Sequence, residues 1–145
     1  ELFVEPTEKI VEGVAIVPGT DGEKMSKSYK NTIPLFGSRD EVAKAVMSIV
    51  TDSSGEVPEN VYAIHKLFRS ETELESLYRE HKGKYKALKE ALIEDIDAVV
   101  APMRETYNSI SDDDVRIILE EGSQKAREFA SSKMKDVRSK IGVSI

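Results

Sequence analysis

Cysteine is absent from the 145 residues, which excludes disulfides, thiolate catalysis and cysteine-ligated metals and agrees with a reducing compartment. Long apolar runs are absent too. None approaches the ~20 residues of a membrane span, so no transmembrane helix is expected. The chain opens on Glu1-Leu2-Phe3 with no initiator methionine, basic n-region or cleavage-type segment, and it reads as an excised piece without a signal peptide. Histidine is scarce. His65 lies in an apolar face and His81 beside a charged helix end, with no spacing suited to a metal pair, so both read as structural and no metal site is expected. No Ser-His-Asp set can be argued, and the Walker pattern G-x-x-x-x-G-K-[ST] is missing.

What is present is charge and helical periodicity. Charged residues make up 33% of the chain and hydrophobic residues 39%, with a net charge of −6, a balance that suits a highly helical protein of one ordinary domain. The charge is unevenly spread: −3 over residues 1–70, −7 over 71–121 and +4 over 122–145. The basic end carries Lys125, Arg127, Lys133, Lys135, Arg138 and Lys140. It could meet a phosphate backbone, or simply complement the dipole of its own helix.

Proline and glycine break up the first third so often that only a short piece such as Gly13 to Val17 could be strand. Beyond Gly37 the period turns helical. Ser38 with Glu41 reads as a capping box before Val42, Ala45, Val46, Ile49 and Val50, a one-sided helix stopping near Asp52. Ser53 to Pro58 is a turn-rich connector. Four further helices follow. One, at about 58–68, shows Val61, Ile64, His65 and Phe68 on one face, and the next opens on a capping box of Ser70 with Glu73 before Leu74, Leu77 and Tyr78. After Gly83, the series Tyr85, Leu88, Leu92, Ile96, Val99, Met103 and Tyr107 predicts the longest helix, which Pro102 should kink or end early. Ser111 caps the last, with Asp112, Asp113 and Asp114 in its first turn rather than around a cation, and with Val115, Ile118, Leu119, Gly122, Ala126, Phe129 and Ala130 as a buried stripe. The predicted fold is a mainly α bundle of about five helices preceded by an irregular segment.

The irregular segment holds the chemistry. Gly19-Thr20-Asp21-Gly22 must be a loop, because glycine is costly inside helices and strands and Asp-Gly favours turns. Behind it come Lys24, Met25, Ser26, Lys27 and Ser28. Two ammoniums three positions apart, hydroxyls, and backbone N–H groups left accessible by glycine make a flexible grip for a polyphosphate. An exposed loop that merely holds two lysines is the plainer alternative.

The run Lys24-Met25-Ser26-Lys27-Ser28 is the KMSKS signature of class I aminoacyl-tRNA synthetases, and the stretch VPGTDGEKMSKSYKNTIPLF, Val17 to Phe36, resembles the tryptophanyl-tRNA synthetases in particular. The resemblance runs on more thinly through NVYAIHKLF at 60–68, APMRETY at 101–107 and VRSKIG at 137–142. Tyrosyl enzymes share the core, so the flanks alone favour tryptophan. The resemblance implies that Lys24 and Lys27 are catalytic, stabilising charge on the departing pyrophosphate as the amino acid is adenylated. It further implies that Gly22, Met25, Ser26 and Ser28 help form the ATP and pyrophosphate site, with Met25 packed beneath the loop and Ser26 and Ser28 either bonding phosphate oxygens or holding the turn. Gly19 and Gly22 would act as hinges, and Asn31, beside Thr32, would brace the loop. Lys30 stands where many members have a small residue, often glycine, which leaves its role open.

The companion H-I-G-H-like element is missing, since no H-x-G-H occurs. The chain therefore looks like the C-terminal part of such an enzyme: residues 1–37 end the catalytic domain, and 38–145 form the helical domain that receives the tRNA anticodon. The resemblance implies a cytoplasmic parent using ATP and Mg²⁺ to join tryptophan to tRNA(Trp), a homodimer through its catalytic part. The isolated piece is expected to be an inactive monomer, with Lys125, Lys133, Lys135 and Arg138 toward tRNA. The alternatives are a tyrosyl-type fragment and a helical packing domain that touches no nucleic acid.

Overall fold

A computed structural model describes residues 2–11, 16–51 and 55–143. Five α-helices follow in order: α1 Arg39–Met47, α2 Glu59–His65, α3 Glu71–Glu80, α4 Tyr85–Ser109 and α5 Asp112–Ile141. Among the described residues there is no strand, only an isolated antiparallel bridge between Pro18 and Lys24. Most of the Gly13–Val17 piece considered as strand, and Asp52 to Ser54 of the first connector, lie outside the described residues.

Local chemistry sets the helix starts. Ser38 with Glu41, Ser70 with Glu73, and Ser111 with Asp114 each form a reciprocal capping box, which satisfies N–H groups that the first helical turn leaves without partners. The stops are less regular. α1 ends at Met47, earlier than its apolar series suggests, and Val50 is 56% exposed. Gly83, at φ 73°, separates α3 from α4 in the left-handed geometry that glycine adopts without strain. α4 runs through Pro102 to Ser109, so the proline does not end it.

The chain forms two compact units, residues 10–107 and residues 1–9 with 108–145. In the first, Val42, Val46 and Ile49 of the α1 region, Val61 and Ile64 of α2, and Leu92, Ile93, Ile96 and Val100 of α4 make one core, with Val17 and Ile33 packed against it. Leu74, Tyr78 and Leu88 make a smaller one. The stripe on α4 is buried only as far as Val100. Val99, Met103 and Tyr107 are exposed, and Tyr107 stacks on Phe36.

The second unit corrects one expectation. α5 has no buried residue, and Val115, Ile118, Leu119 and Phe129 of its supposed buried stripe are 44–76% exposed. The amphipathic pattern is real. A stripe is buried only where another element packs on it, and within this unit α5 has no second helix to do so beyond the last two residues of α4.

A polar network lies inside the first unit. His65, fully buried, donates from Nε2 to Asp95 at 2.6 Å and meets the Tyr78 hydroxyl at Nδ1, 3.2 Å away. Asp95 also takes a two-pronged contact from Arg69, one prong at 2.7 Å. Burial opposes ionisation of Asp95, but the Arg69 and His65 hydrogen bonds outweigh it and hold the carboxyl below its ordinary range. Desolvation lowers His65 despite Asp95. A histidine kept neutral by burial gains its proton in the unfolded chain first, so stability is full above the ordinary value of 6.5 and falls as pH drops below it. The unfolding free energy from urea titrations should therefore decline from pH 7 to pH 5, with a slope of at most about 1.4 kcal/mol per pH unit. His65→Gln, which keeps an N–H for Asp95, should flatten that decline.

Candidate functional site

The loop from Val17 to Asn31 is tied to itself at several points. The Gly19 N–H donates to Glu23 O at 2.6 Å, the Gly22 N–H to Gly19 O at 3.1 Å and the Met25 N–H to Val17 O at 2.9 Å, closing a tight turn around Thr20 to Gly22. Gly22 sits at φ 88°, in the left-handed region that favours glycine. Asn31, only 2% exposed, fills the inside of the loop. Its amide NH₂ donates to Asp21 Oδ1 at 2.7 Å and Lys24 O at 3.1 Å, and its Oδ1 accepts from the Ser26 N–H at 2.7 Å. The Asn31 carbonyl accepts from the Thr20 N–H at 2.9 Å. Gly19 leaves room for this: a Cβ there would stand 2.7 Å from the Asn31 carbonyl oxygen, backbone that no rotamer change can move.

Lys24 and Lys27 point out of this frame. Both are exposed, and among the described residues neither makes an ion pair. Met25 and Ser26 are partly buried, and the Ser26 and Ser28 hydroxyls lie 2.8 Å apart. A single 3-10 turn, Lys27–Tyr29, then ends in Lys30 at φ 56° and ψ 28°. Among the described residues Lys30 is the one non-glycine with positive φ, a conformation that costs an L-residue roughly 1–2 kcal/mol. Lys30→Gly should therefore leave the melting temperature unchanged or raise stability by up to about 1 kcal/mol, whereas Lys30→Val should lower it by about as much.

The loop rests on the exit of α1. The Val50 N–H donates to Thr20 O at 2.8 Å, and Asn60 Nδ2, at the start of α2, donates to Val50 O at 3.1 Å. Beneath that turn lies Lys89 of α4, 8% exposed, whose ammonium donates to Ile49 O at 2.7 Å and Met47 O at 3.0 Å. Burial lowers its pKa. Sequence reasoning missed Lys89 and Asn60. A lysine one position after Leu88 reads as the wet side of a helix, and nothing in its spacing announces that it crosses to carbonyls about forty residues earlier.

Lys125, Lys133, Lys135 and Arg138 all lie on α5, but not on one face. At about 100° per residue, Lys125 and Lys133 fall roughly 80° apart and Lys133 and Arg138 roughly 140° apart. Lys133 is also partly engaged, donating to Leu2 O at 3.0 Å. Among the described residues no cluster of three carboxylate or imidazole groups could hold a metal ion, and no helix is long and apolar enough to cross a membrane.

A chain with this turn and this helical unit has relatives among known proteins. The chain belongs to the class I tRNA synthetases of the W and Y type, whose family pattern it matches over residues 2–107. Within that class it is similar to tryptophan–tRNA ligases. It is 38% identical to the one from Rhodopirellula baltica and 40% identical to one from Campylobacter jejuni, each over 99% of this chain and 48% of the relative. A crystal structure of the Campylobacter jejuni tryptophanyl-tRNA synthetase with ADP and tryptophan superposes with a TM-score of 0.80 at 38% identity, covering 97% of this chain and 48% of that one. The chain thus spans about half the length of the relatives it matches.

Proposed function

We propose that this chain is the part of a tryptophan–tRNA ligase that carries the pyrophosphate-gripping loop and the helices that receive tRNA. The observation behind the reading is the loop itself: a turn braced by buried Asn31 that leaves Lys24 and Lys27 exposed and, among the described residues, in no ion pair, in a chain that resembles tryptophan–tRNA ligases along 99% of its length. Residues 1–37 then close the catalytic domain, and 38–145 form the anticodon-binding domain. Tryptophan, ATP and tRNA(Trp) are the substrates, in the cytoplasm, and the whole enzyme is a homodimer through its other half. Alone, the 145 residues are a monomer and inactive.

In this reaction the tryptophan carboxylate attacks the α-phosphate and pyrophosphate leaves with the bond electrons. Negative charge grows on the leaving group, and Lys24 and Lys27 are placed to meet it. Donors preorganised where charge develops are worth roughly 3–4 kcal/mol each. Lysine suits the task because a point charge tolerates imperfect geometry. Ser26, Ser28 and the Gly22 backbone complete the phosphate surface, and Met25 fills the space beneath it. Among the described residues no cluster of three carboxylate or imidazole groups could hold Mg²⁺.

Charging tests the reading. The intact protein should attach tryptophan to tRNA(Trp), and a preference for tyrosine on tRNA(Tyr) would move it to the tyrosyl branch of the family. The second half of the proposal rests on α5. Binding of tRNA should weaken steeply with salt, by roughly 0.7–0.9 in log K per log salt for each phosphate contact. Charge reversal at Lys135 and Arg138 should each lower that slope by about 1, with a smaller effect at Lys133, whose ammonium already serves Leu2. A salt-independent or absent interaction would leave the helical part as a packing domain.

A further inference from the structure

Resting on the reading of Lys24 and Lys27 as pyrophosphate-gripping groups, we propose that Lys89 is a positioning residue for them, acting from α4 through the turn at residues 47–50.

A buried ammonium is costly unless its N–H groups are bonded. Lys89 has no carboxylate partner among the described residues, only the carbonyls of Met47 and Ile49. A methionine would fill the same space without that cost. What the ammonium adds is direction. It caps carbonyls at the end of α1 that the helix cannot satisfy, and it places positive charge at the negative end of the helix dipole. Fixing the Ile49 carbonyl fixes the plane of the peptide joining Ile49 to Val50, because that unit is rigid. The N–H of this same peptide is the one that holds Thr20 O at 2.8 Å.

From Thr20 the path is short. Its own N–H holds Asn31 O at 2.9 Å, and the Asn31 side chain holds Lys24 O and the Ser26 N–H. Asn60 grips the other side of the joint at Val50 O, and its amide lies 2.8 Å from where a Gly22 Cβ would be. All these residues belong to one compact unit, 10–107. The turn at 47–50 is therefore the seat of the loop, and Lys89 sets its angle. Adjacency of hydrogen bonds is not in itself coupling, so the test measures coupling directly.

In the intact ligase, Lys89→Met should lower kcat for tryptophan-dependent ATP–pyrophosphate exchange about tenfold, on the order expected when catalytic groups shift by a fraction of an ångström. The KM for tryptophan should stay within about twofold, since the amino-acid pocket is untouched. In a background already carrying Lys24→Ala and Lys27→Ala, the same substitution should change the residual rate less than about twofold. Hydrogen exchange at the Val50 amide should quicken in both backgrounds. Asn60→Ala, which cuts the joint without touching the core, gives a second route if Lys89→Met folds poorly, with a loss of about threefold that again vanishes in the lysine-less background. Equal losses in both backgrounds would make Lys89 a structural residue and overturn the proposal, as would full kcat in Lys89→Met and Asn60→Ala alike. If Lys24→Ala with Lys27→Ala alone keeps full kcat, the pyrophosphate reading falls and the proposal with it, an outcome visible before Lys89 is touched.

Discussion

Alanine at Lys27 in the intact ligase should slow tryptophan-dependent ATP–pyrophosphate exchange about 10²–10³-fold while leaving the KM for tryptophan close to its original value. The size follows from where the charge is needed. Lys27 is exposed and in no ion pair among the described residues, so the fold loses little when its side chain is truncated. On the proposed reading, what is lost is a donor facing charge that exists only as pyrophosphate departs, and a group that acts mainly in the transition state lowers kcat rather than raising KM. Lys24→Ala should behave alike, and the double variant should lose less than the product of the two, as expected if both lysines serve one leaving group. Circular dichroism of the variants should match the parent. A raised KM for ATP with unchanged kcat would mean that the lysines bind the ground state only.

The second large effect concerns the fold. Asp95→Ala should destabilise the chain by about 2–4 kcal/mol, because it strips partners from a histidine with no access to water and from a half-buried arginine. In a unit of this size that is a fall in melting temperature of roughly 10–20 °C. Tyr78, whose hydroxyl burial keeps protonated, would be the one remaining partner of His65. Arg69→Lys should cost less, about 1 kcal/mol, since an ammonium keeps the charge but not the two-pronged geometry. A melting temperature within 2–3 °C of the parent for Asp95→Ala would show that the network is decorative, on the scale of about 0.5 kcal/mol.

The parts of this structure legible in the sequence are those decided by near neighbours. Ser38, Ser70 and Ser111 announce their helices because each cap is completed three residues later. Gly19 to Gly22 announces a turn for the same reason. The α5 stripe shows the opposite case: the period of Val115, Ile118 and Leu119 is correct for an amphipathic helix, but whether anything covers it is a fact about other elements. Lys89, Arg69 and Asp95 were illegible on the same ground. Their partners stand 26–42 positions away, and only the packing of α1 and α2 against α4 brings them into reach. In the loop, a lysine-bearing turn behind Gly19 to Gly22 could be read from the residues alone. The way Asn31 ties Asp21, Lys24 and Ser26 into one frame could not, because it depends on the chain closing back on itself.

The proposed role of the loop, in a tryptophan-activating enzyme, is open to one direct measurement. ATP–pyrophosphate exchange should be followed for the intact protein against tryptophan and tyrosine in parallel, with the Lys24→Ala, Lys27→Ala variant alongside. Exchange is expected with tryptophan, with that for tyrosine about a hundredfold or more below it, and nearly all of the tryptophan exchange should be lost in the variant. Exchange driven by tyrosine, or exchange with tryptophan that survives removal of both lysines, would contradict the proposed role.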